Sequence, residues 1–225
     1  MAAPRSYDDP CGIARALDRV GERWALLVVR ELLLGPNRFT DLRAGMPSAS
    51  PNVLSQRLDE LVTSGVVHRR QLDPPAQSWV YELTPWGREL EAVLVPLARW
   101  GSRAPLPRGE LSPDALLLAL RTTLKPRREQ TDPLAVEVRL LPHRYLVRID
   151  GDRVDIARAG DEKAEAVLDT DVTTLRRLVF GDLPLGDARR KGAIRIEGSV
   201  RAATRFLGSF ARPTAERPRR SSPSA

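Results

Sequence analysis

Residues 50–65 read SPNVLSQRLDELVTSG, and the spacing of their apolar side chains decides how the first half of the chain is read. Leu54, Leu58, Leu61 and Val62 fall at i, i+4, i+7 and i+8, the buried stripe of an amphipathic helix. Ser50 suits the N-cap, Pro51 suits the first helical position, and Gly65 stops the helix after Ser64. Asn52, Gln56 and Thr63 point away from the stripe, and Ser55 and Arg57 flank it.

Upstream, Asp9 and Pro10 open a helix with Ile13, Leu17 and Val20 on one face, and Gly21 punctuates it. A second helix over 22–34 carries Trp24, Leu27, Val28 and Leu32 and ends at Gly35. A short helix over 40–44 and a turn holding Gly45 and Pro47 lead into Ser50. Short helix, turn and longer helix is the order of a helix-turn-helix. Downstream, VVHRRQL and SWVYEL are separated by the turn-rich DPPAQ, which reads as a hairpin and, in this position, as a wing. Thr84 and Pro85 open a last helix that runs to about Trp100, with Pro96 expected to kink it or remove one hydrogen bond.

The exposed amino-terminal face of the 50–64 helix is built of Ser50, Asn52, Ser55 and Gln56, with Arg57 beside it. Such groups hydrogen-bond base edges and phosphates, and the helix N-terminus also favours phosphate. Asp59 and Glu60 repel phosphate, so the helix must enter a groove by its N-terminal end. Arg38, Arg69 and Arg70 complete the expected DNA-binding set, and Arg43 lies nearby.

Charge alone does not carry this reading. The net charge is +7, but residues 1–105 contribute only +1, residues 106–211 +3 and residues 212–225 +3. Attraction to DNA must come from local placement of arginine. Nothing indicates an enzyme: no nucleophile, histidine and acid cluster, and no phosphate loop or metal spacing appears. One cysteine, Cys11, excludes an intrachain disulfide, and with two distant histidines, His68 and His143, no metal site and no cofactor is expected. No apolar run approaches the roughly 18 residues of a membrane span. The first residues lack the pattern of a signal peptide, so a cytoplasmic protein without membrane contact is expected.

Four segments are expected: a winged helix-turn-helix over 1–101, a Pro- and Gly-bearing linker over 102–110, an α+β unit over 111–211 and a disordered basic tail over 212–225. In the third, Ser112 and Pro113 open a helix with Leu116, Leu117 and Leu120 on one face. Val136, Val138 and Leu140, then Tyr145, Val147 and Ile149, alternate as half-buried strands, and Val154 and Ile156 form another after Gly151-Asp152. Further strands at 165–168 and 193–197 and helices at 172–180 and 199–210 complete an antiparallel sheet with helices on one face.

The motifs of the first half resemble the HxlR family of winged-helix regulators. The matching pieces are CGI from Cys11, LDRVGERW over 17–24, RFTDL over 38–42, SPNVLSQRLDEL over 50–61, SGVVHRR over 64–70 and VYELTPWG over 80–87. The resemblance implies double-stranded DNA as partner, a homodimer built from the first and last helices of this unit, and a repressor on an inverted-repeat operator. The family often carries Lys where Asn52 stands, which implies one phosphate contact fewer here. It also implies a redox role for Cys11, since some members respond to oxidants through an amino-terminal cysteine. Arg15 and the helix N-terminus favour the thiolate, whereas Asp8 and Asp9 oppose it.

Residues 168–181 (LDTDVTTLRRLVFG) and 192–198 (GAIRIEG) resemble sterol-carrier-protein-like domains. That likeness implies an apolar tunnel for a hydrophobic small-molecule effector, lined by Phe180, Leu183, Leu185, Phe206 and Phe210; the alternative is that these residues only fill a core. The whole is read as a ligand-responsive transcription regulator. The alternatives are a hydrophobic-ligand carrier whose winged helix makes protein contacts, and a thiol-based redox regulator.

Overall fold

The computed structural model describes residues 6–74, 76–104, 109–126 and 132–211. Residues 105–108 of the expected linker and the expected tail 212–225 lie outside them. The amino-terminal half runs α1 (Gly12–Val20), α2 (Ala25–Leu32), α3 (Phe39–Gly45), α4 (Pro51–Thr63), β1 (Val67–Gln71), β2 (Trp79–Leu83), α5 (Pro85–Glu89) and α6 (Glu91–Gly101). The carboxyl-terminal half runs α7 (Pro113–Thr123), β3 (Leu134–Leu140), β4 (His143–Asp150), β5 (Arg153–Arg158), β6 (Ala166–Thr170), α8 (Val172–Phe180), α9 (Leu185–Arg190), β7 (Ile194–Gly198) and α10 (Val200–Gly208).

Two apolar clusters organise these elements. In the first, Val28, Val29 and Leu32 of α2 pack with Leu42 of α3 and with Leu54, Leu58 and Leu61 of α4, and Val67 and Leu83 close it from the hairpin. The second lies between one face of a five-stranded sheet and α7, α8 and α10. Strand alternation explains that face: Leu134, Val136, Val138 and Leu140 turn towards the helices, while Glu137 and Arg139 turn away. Leu34, from the first half of the chain, is buried within this second cluster.

Four local expectations are corrected. The sheet, in the order β5-β4-β3-β6-β7, is mixed and not wholly antiparallel. After β5 the chain crosses to the far side of β3, so β6 lies parallel to β3, with Val136 opposite Ala166. The last helix of the first half is not continuous from Thr84 but divides at Leu90 into α5 and α6, with Pro96 inside α6. At this break Gly87 packs so closely on the Val66 carbonyl that a Cβ would lie 2.1 Å from its oxygen. The first helix starts at Gly12 with Cys11 at its cap; Asp9 instead accepts the Cys11 N–H at 2.8 Å. Finally, α9 follows Pro184 where no helix was expected.

Candidate nucleic-acid interface

The 50–65 stretch forms α4 with the expected cap: Ser50 Oγ accepts the Val53 N–H at 3.4 Å, and Pro51 occupies the first turn. Gly65 adopts φ +76°, in the left-handed region that glycine tolerates, and turns the chain into β1. Thr84 fastens the returning strand to this corner, its Oγ1 donating to the Gly65 carbonyl at 2.8 Å. Because Leu54, Leu58 and Leu61 are held in the core, the opposite face of α4 is fixed in orientation. Ser50, Asn52, Ser55 and Gln56 lie exposed on it. Gln56 Nε2 donates to Glu60 Oε1 at 3.0 Å, a surface contact that base or phosphate groups can displace.

Arg57 is placed differently. It is only 8% exposed, on the buried side of α4, and its Nη1 pairs with Glu60 and lies 3.7 Å from Glu22. The structure therefore does not bring Arg57 to the face formed by Asn52, Ser55 and Gln56. Val62, expected in the apolar stripe, is 37% exposed, and Arg57 takes the inward position. The signal was in the spacing, since Arg57 stands three residues after Leu54 and four before Leu61.

Arg38 is exposed at the N-cap of α3, its N–H donating to Asp41 at 3.2 Å, and Arg43 is exposed at the end of the same helix. The wing separates the remaining two arginines by strand alternation. Arg69 stands opposite Tyr81, and its guanidinium lies 4.7 Å from the Trp79 ring centre and 6.0 Å from that of Tyr81. Stacking of this kind holds a cation in place without neutralising it. Arg70 points to the other face, where its Nε donates to Glu82 at 2.6 Å; Arg88 donates to the same carboxylate at 2.7 Å. Although partial burial alone would raise it, these two arginines keep the Glu82 carboxyl below its usual range. Arg69 is thus the freer cation of the pair.

Cys11 is exposed at the cap of α1. The backbone N–H groups of Ile13 and Ala14 hold its thiol below the ordinary value, the effect expected at a helix N-terminus. The five residues expected to line a tunnel divide into two sets. Phe206 and Phe210 are buried in the second cluster, edge to face with ring centres 5.3 Å apart, whereas Phe180, Leu183 and Leu185 lie partly buried at its margin. A cleft between α6, α7 and α8 takes in Phe180 and none of the other four.

Sequence reasoning missed the polar joint between the halves. Asn37 Nδ2 donates to the Glu31 carbonyl at 2.7 Å and to Asp114 Oδ2 at 3.2 Å. Asp114 also accepts from Arg158 at 2.9 Å and from the Tyr145 hydroxyl at 2.7 Å. Ser112, which caps α7, donates to Glu31 at 2.8 Å, and Arg30 donates to the same oxygen at 2.6 Å. Burial pushes the Glu31 carboxyl and the Tyr145 phenol up from their ordinary values. Each of these residues is unremarkable in its own segment; only the fold brings them together.

Residues 19–107 match the model of the HxlR-like helix-turn-helix family. The HTH-type transcriptional regulator YvaP of Bacillus subtilis is 36% identical over 88 residues, covering 39% of this chain and 82% of the relative. The HTH-type transcriptional regulator Mb3122 of Mycobacterium bovis is 41% identical over 101 residues, covering 45% of this chain and 63% of the relative. Among solved structures, the redox regulator HypR in its oxidised form matches 43% of this chain and all of its own, at 29% identity and TM-score 0.40. The reduced transcriptional regulator YodB from B. subtilis matches 42% of this chain and 94% of its own, at 30% identity and TM-score 0.38. Among the described residues no helix is long and apolar enough to cross a membrane.

Proposed function

The chain belongs to the HxlR-like helix-turn-helix family of transcription regulators, and from that premise we propose that it is a dimeric repressor reading an inverted-repeat operator with α4 and the wing. The observation that carries the reading is the exposed Ser50, Asn52, Ser55 and Gln56 face on a helix whose other side is locked in the core. Hydrogen-bonding side chains at the N-terminal end of such a helix suit base edges in a major groove. Arg38 and Arg69 supply phosphate contacts on either side, and Arg70 contributes less because Glu82 occupies it.

A second copy of the chain is the proposed cover for α1 and α6. Ile13 and Leu17 of α1 are 73% and 42% exposed, and Val93, Leu97 and Trp100 of α6 are 56%, 43% and 68% exposed. Each set follows helical spacing, and together they make an apolar surface larger than scattered surface residues explain. Between α1 and the α5–α6 pair runs a groove of about 860 Å³, bordered by Val20, Trp86, Leu90 and Val93. Footprinting on promoter DNA tests the proposal: a dimer protects two half-sites about one helical turn apart. Leu97→Glu should yield a monomer by sedimentation velocity and lose that paired protection. A monomeric wild type that protects a single site contradicts the dimer.

The carboxyl-terminal half is read as a separate sterol-carrier-like domain that answers to a hydrophobic small molecule. Its support is the helix-covered sheet and the buried joint to the DNA-reading half. A second reading, thiol-based control, is favoured by the exposure of Cys11 and the lowering of its thiol by two backbone N–H groups. It predicts that diamide releases the wild type from promoter DNA and leaves Cys11→Ser bound. Equal release of both proteins contradicts it.

A further inference from the structure

We propose that the cleft between α6, α7 and α8 is the effector site and that it takes an amphipathic organic anion, an apolar body carrying a carboxylate or sulfonate. This rests on the reading above that the carboxyl-terminal half answers to a hydrophobic small molecule. It places that molecule at the joint between the two halves and not inside the sheet–helix core.

The cleft has a volume of about 540 Å³, within the range of small-molecule sites. Its walls are apolar: Leu94 and Val95 from α6, Leu118 and Ala119 from α7, and Phe180 at the end of α8. The charged groups lining it are three arginines, Arg30, Arg176 and Arg177, against one acid, Glu110. Arg30 is committed to Glu31 at 2.6 Å. Arg177 lies 3.6 Å from Asp182, but both side chains are exposed and the pair is weak. Arg176 is exposed, and among the described residues it has no ion pair. An apolar trough lined by the unpaired Arg176 and the weakly paired Arg177 matches a molecule with a greasy body and an anionic head. Phe206 and Phe210, by contrast, are 0% and 2% exposed and stack edge to face inside the second cluster.

The position of the cleft supplies the coupling. Helices α6 and α7 run antiparallel and are pinned at one end by the ion pair of Glu91 with Arg121. The cleft runs from there towards Ser102 and Leu111, at the other end of the pair. A molecule wedged in it moves the far end of α6, whose outer face carries Leu97 and Trp100. A shift of that face alters how two copies meet, and so the spacing of their α4 helices. Occupancy changes DNA affinity only if the molecule prefers one arrangement of the dimer.

The test uses the purified full chain and anilinonaphthalene sulfonate, a fluorescent amphipathic anion, displaced by decanoate, decanol or decyltrimethylammonium. The expected result is displacement by decanoate at concentrations where decanol and the cation displace little, together with a change in promoter affinity. The double variant Arg176→Glu and Arg177→Glu should weaken decanoate at least tenfold, and Ala119→Trp should abolish it. Thermal melting and binding to promoter DNA check that each variant is folded, and the exposed double variant decides the matter if Ala119→Trp is not. Retention of decanoate binding in the double variant, or its loss only in Ala193→Trp at the core, overturns the site and leaves the effector reading standing. Failure of every probe to bind the wild type overturns both, while DNA binding by α4 is unaffected.

Discussion

Asn37 and Asp114 stand 77 positions apart in the chain and meet through a hydrogen bond of 3.2 Å from Nδ2 to Oδ2. On its backbone, Asn37 exchanges two hydrogen bonds with Tyr81 in wing strand β2, at 3.0 and 2.8 Å. On its side chain it meets Asp114, which also holds Tyr145 and Arg158 of the sheet. One residue thus ties the wing to the carboxyl-terminal half, so a displacement of either half is felt by the other.

Removing the acceptor should therefore cost more than removing the donor. Asp114→Ala leaves Arg158 and the Tyr145 hydroxyl without their shared partner in a buried place. The expected loss is about 3 kcal/mol, the lower end for a broken buried pair because Arg158 is partly exposed. Asn37→Ala should cost about 1–3 kcal/mol. Urea unfolding measures both, and unchanged midpoints would show that the joint contributes nothing to stability.

The Glu31 carboxyl, raised by burial, makes a prediction with a definite sign. An acid with a raised folded-state value takes up a proton more readily when folded. Its contribution to stability is present below the unfolded value, about 4.3, and is lost as pH rises through the folded value. Glu31→Gln keeps an acceptor for Ser112 and removes the charge. The melting temperature of the variant should gain on that of the wild type as pH rises from about 4 towards neutrality. A gap that stays constant across that window would mean Glu31 does not titrate differently in the folded state.

Arg57 and Arg69 should separate stability from DNA binding. Arg57→Ala strips Glu22 and Glu60 of a largely buried partner and should lower stability by about 1–3 kcal/mol. DNA affinity of its folded fraction should hold. Arg69→Ala should leave melting nearly unchanged, weaken binding to all sequences alike, and reduce the salt slope by about 1. The reverse pattern would mean that the two arginines have been assigned to the wrong jobs.

The first half was legible because its signals are local. Ser50 and Pro51, Gly65, and Thr84 with Pro85 mark element ends through their own backbone preferences, and the leucines of α4 display a single period. The break at Leu90 was hidden because no proline or glycine stands there, while Pro96, which does carry such a signal, stays inside α6. The parallel β3–β6 pair was hidden because strand alternation reports which face is buried and says nothing of which neighbour lies alongside. Of the interface, the polar face of α4 was readable, whereas the inward turn of Arg57 conflicted with the habit of placing arginine outside. The Asn37–Asp114 joint had no sequence signal, because its members come from four separate segments.

The central claim is that α4 reads DNA with its exposed amino-terminal face. Fluorescence anisotropy with a labelled fragment of the protein's own promoter, compared with a scrambled duplex, tests it most directly. The triple variant Asn52→Ala, Ser55→Ala and Gln56→Ala leaves the buried leucines untouched, so it should fold and melt as the wild type does. Its promoter affinity should fall until it matches that for the scrambled duplex, with Gln56→Ala alone costing about 1–3 kcal/mol at particular base pairs. A folded triple variant that still prefers its promoter as strongly as the wild type would contradict the account.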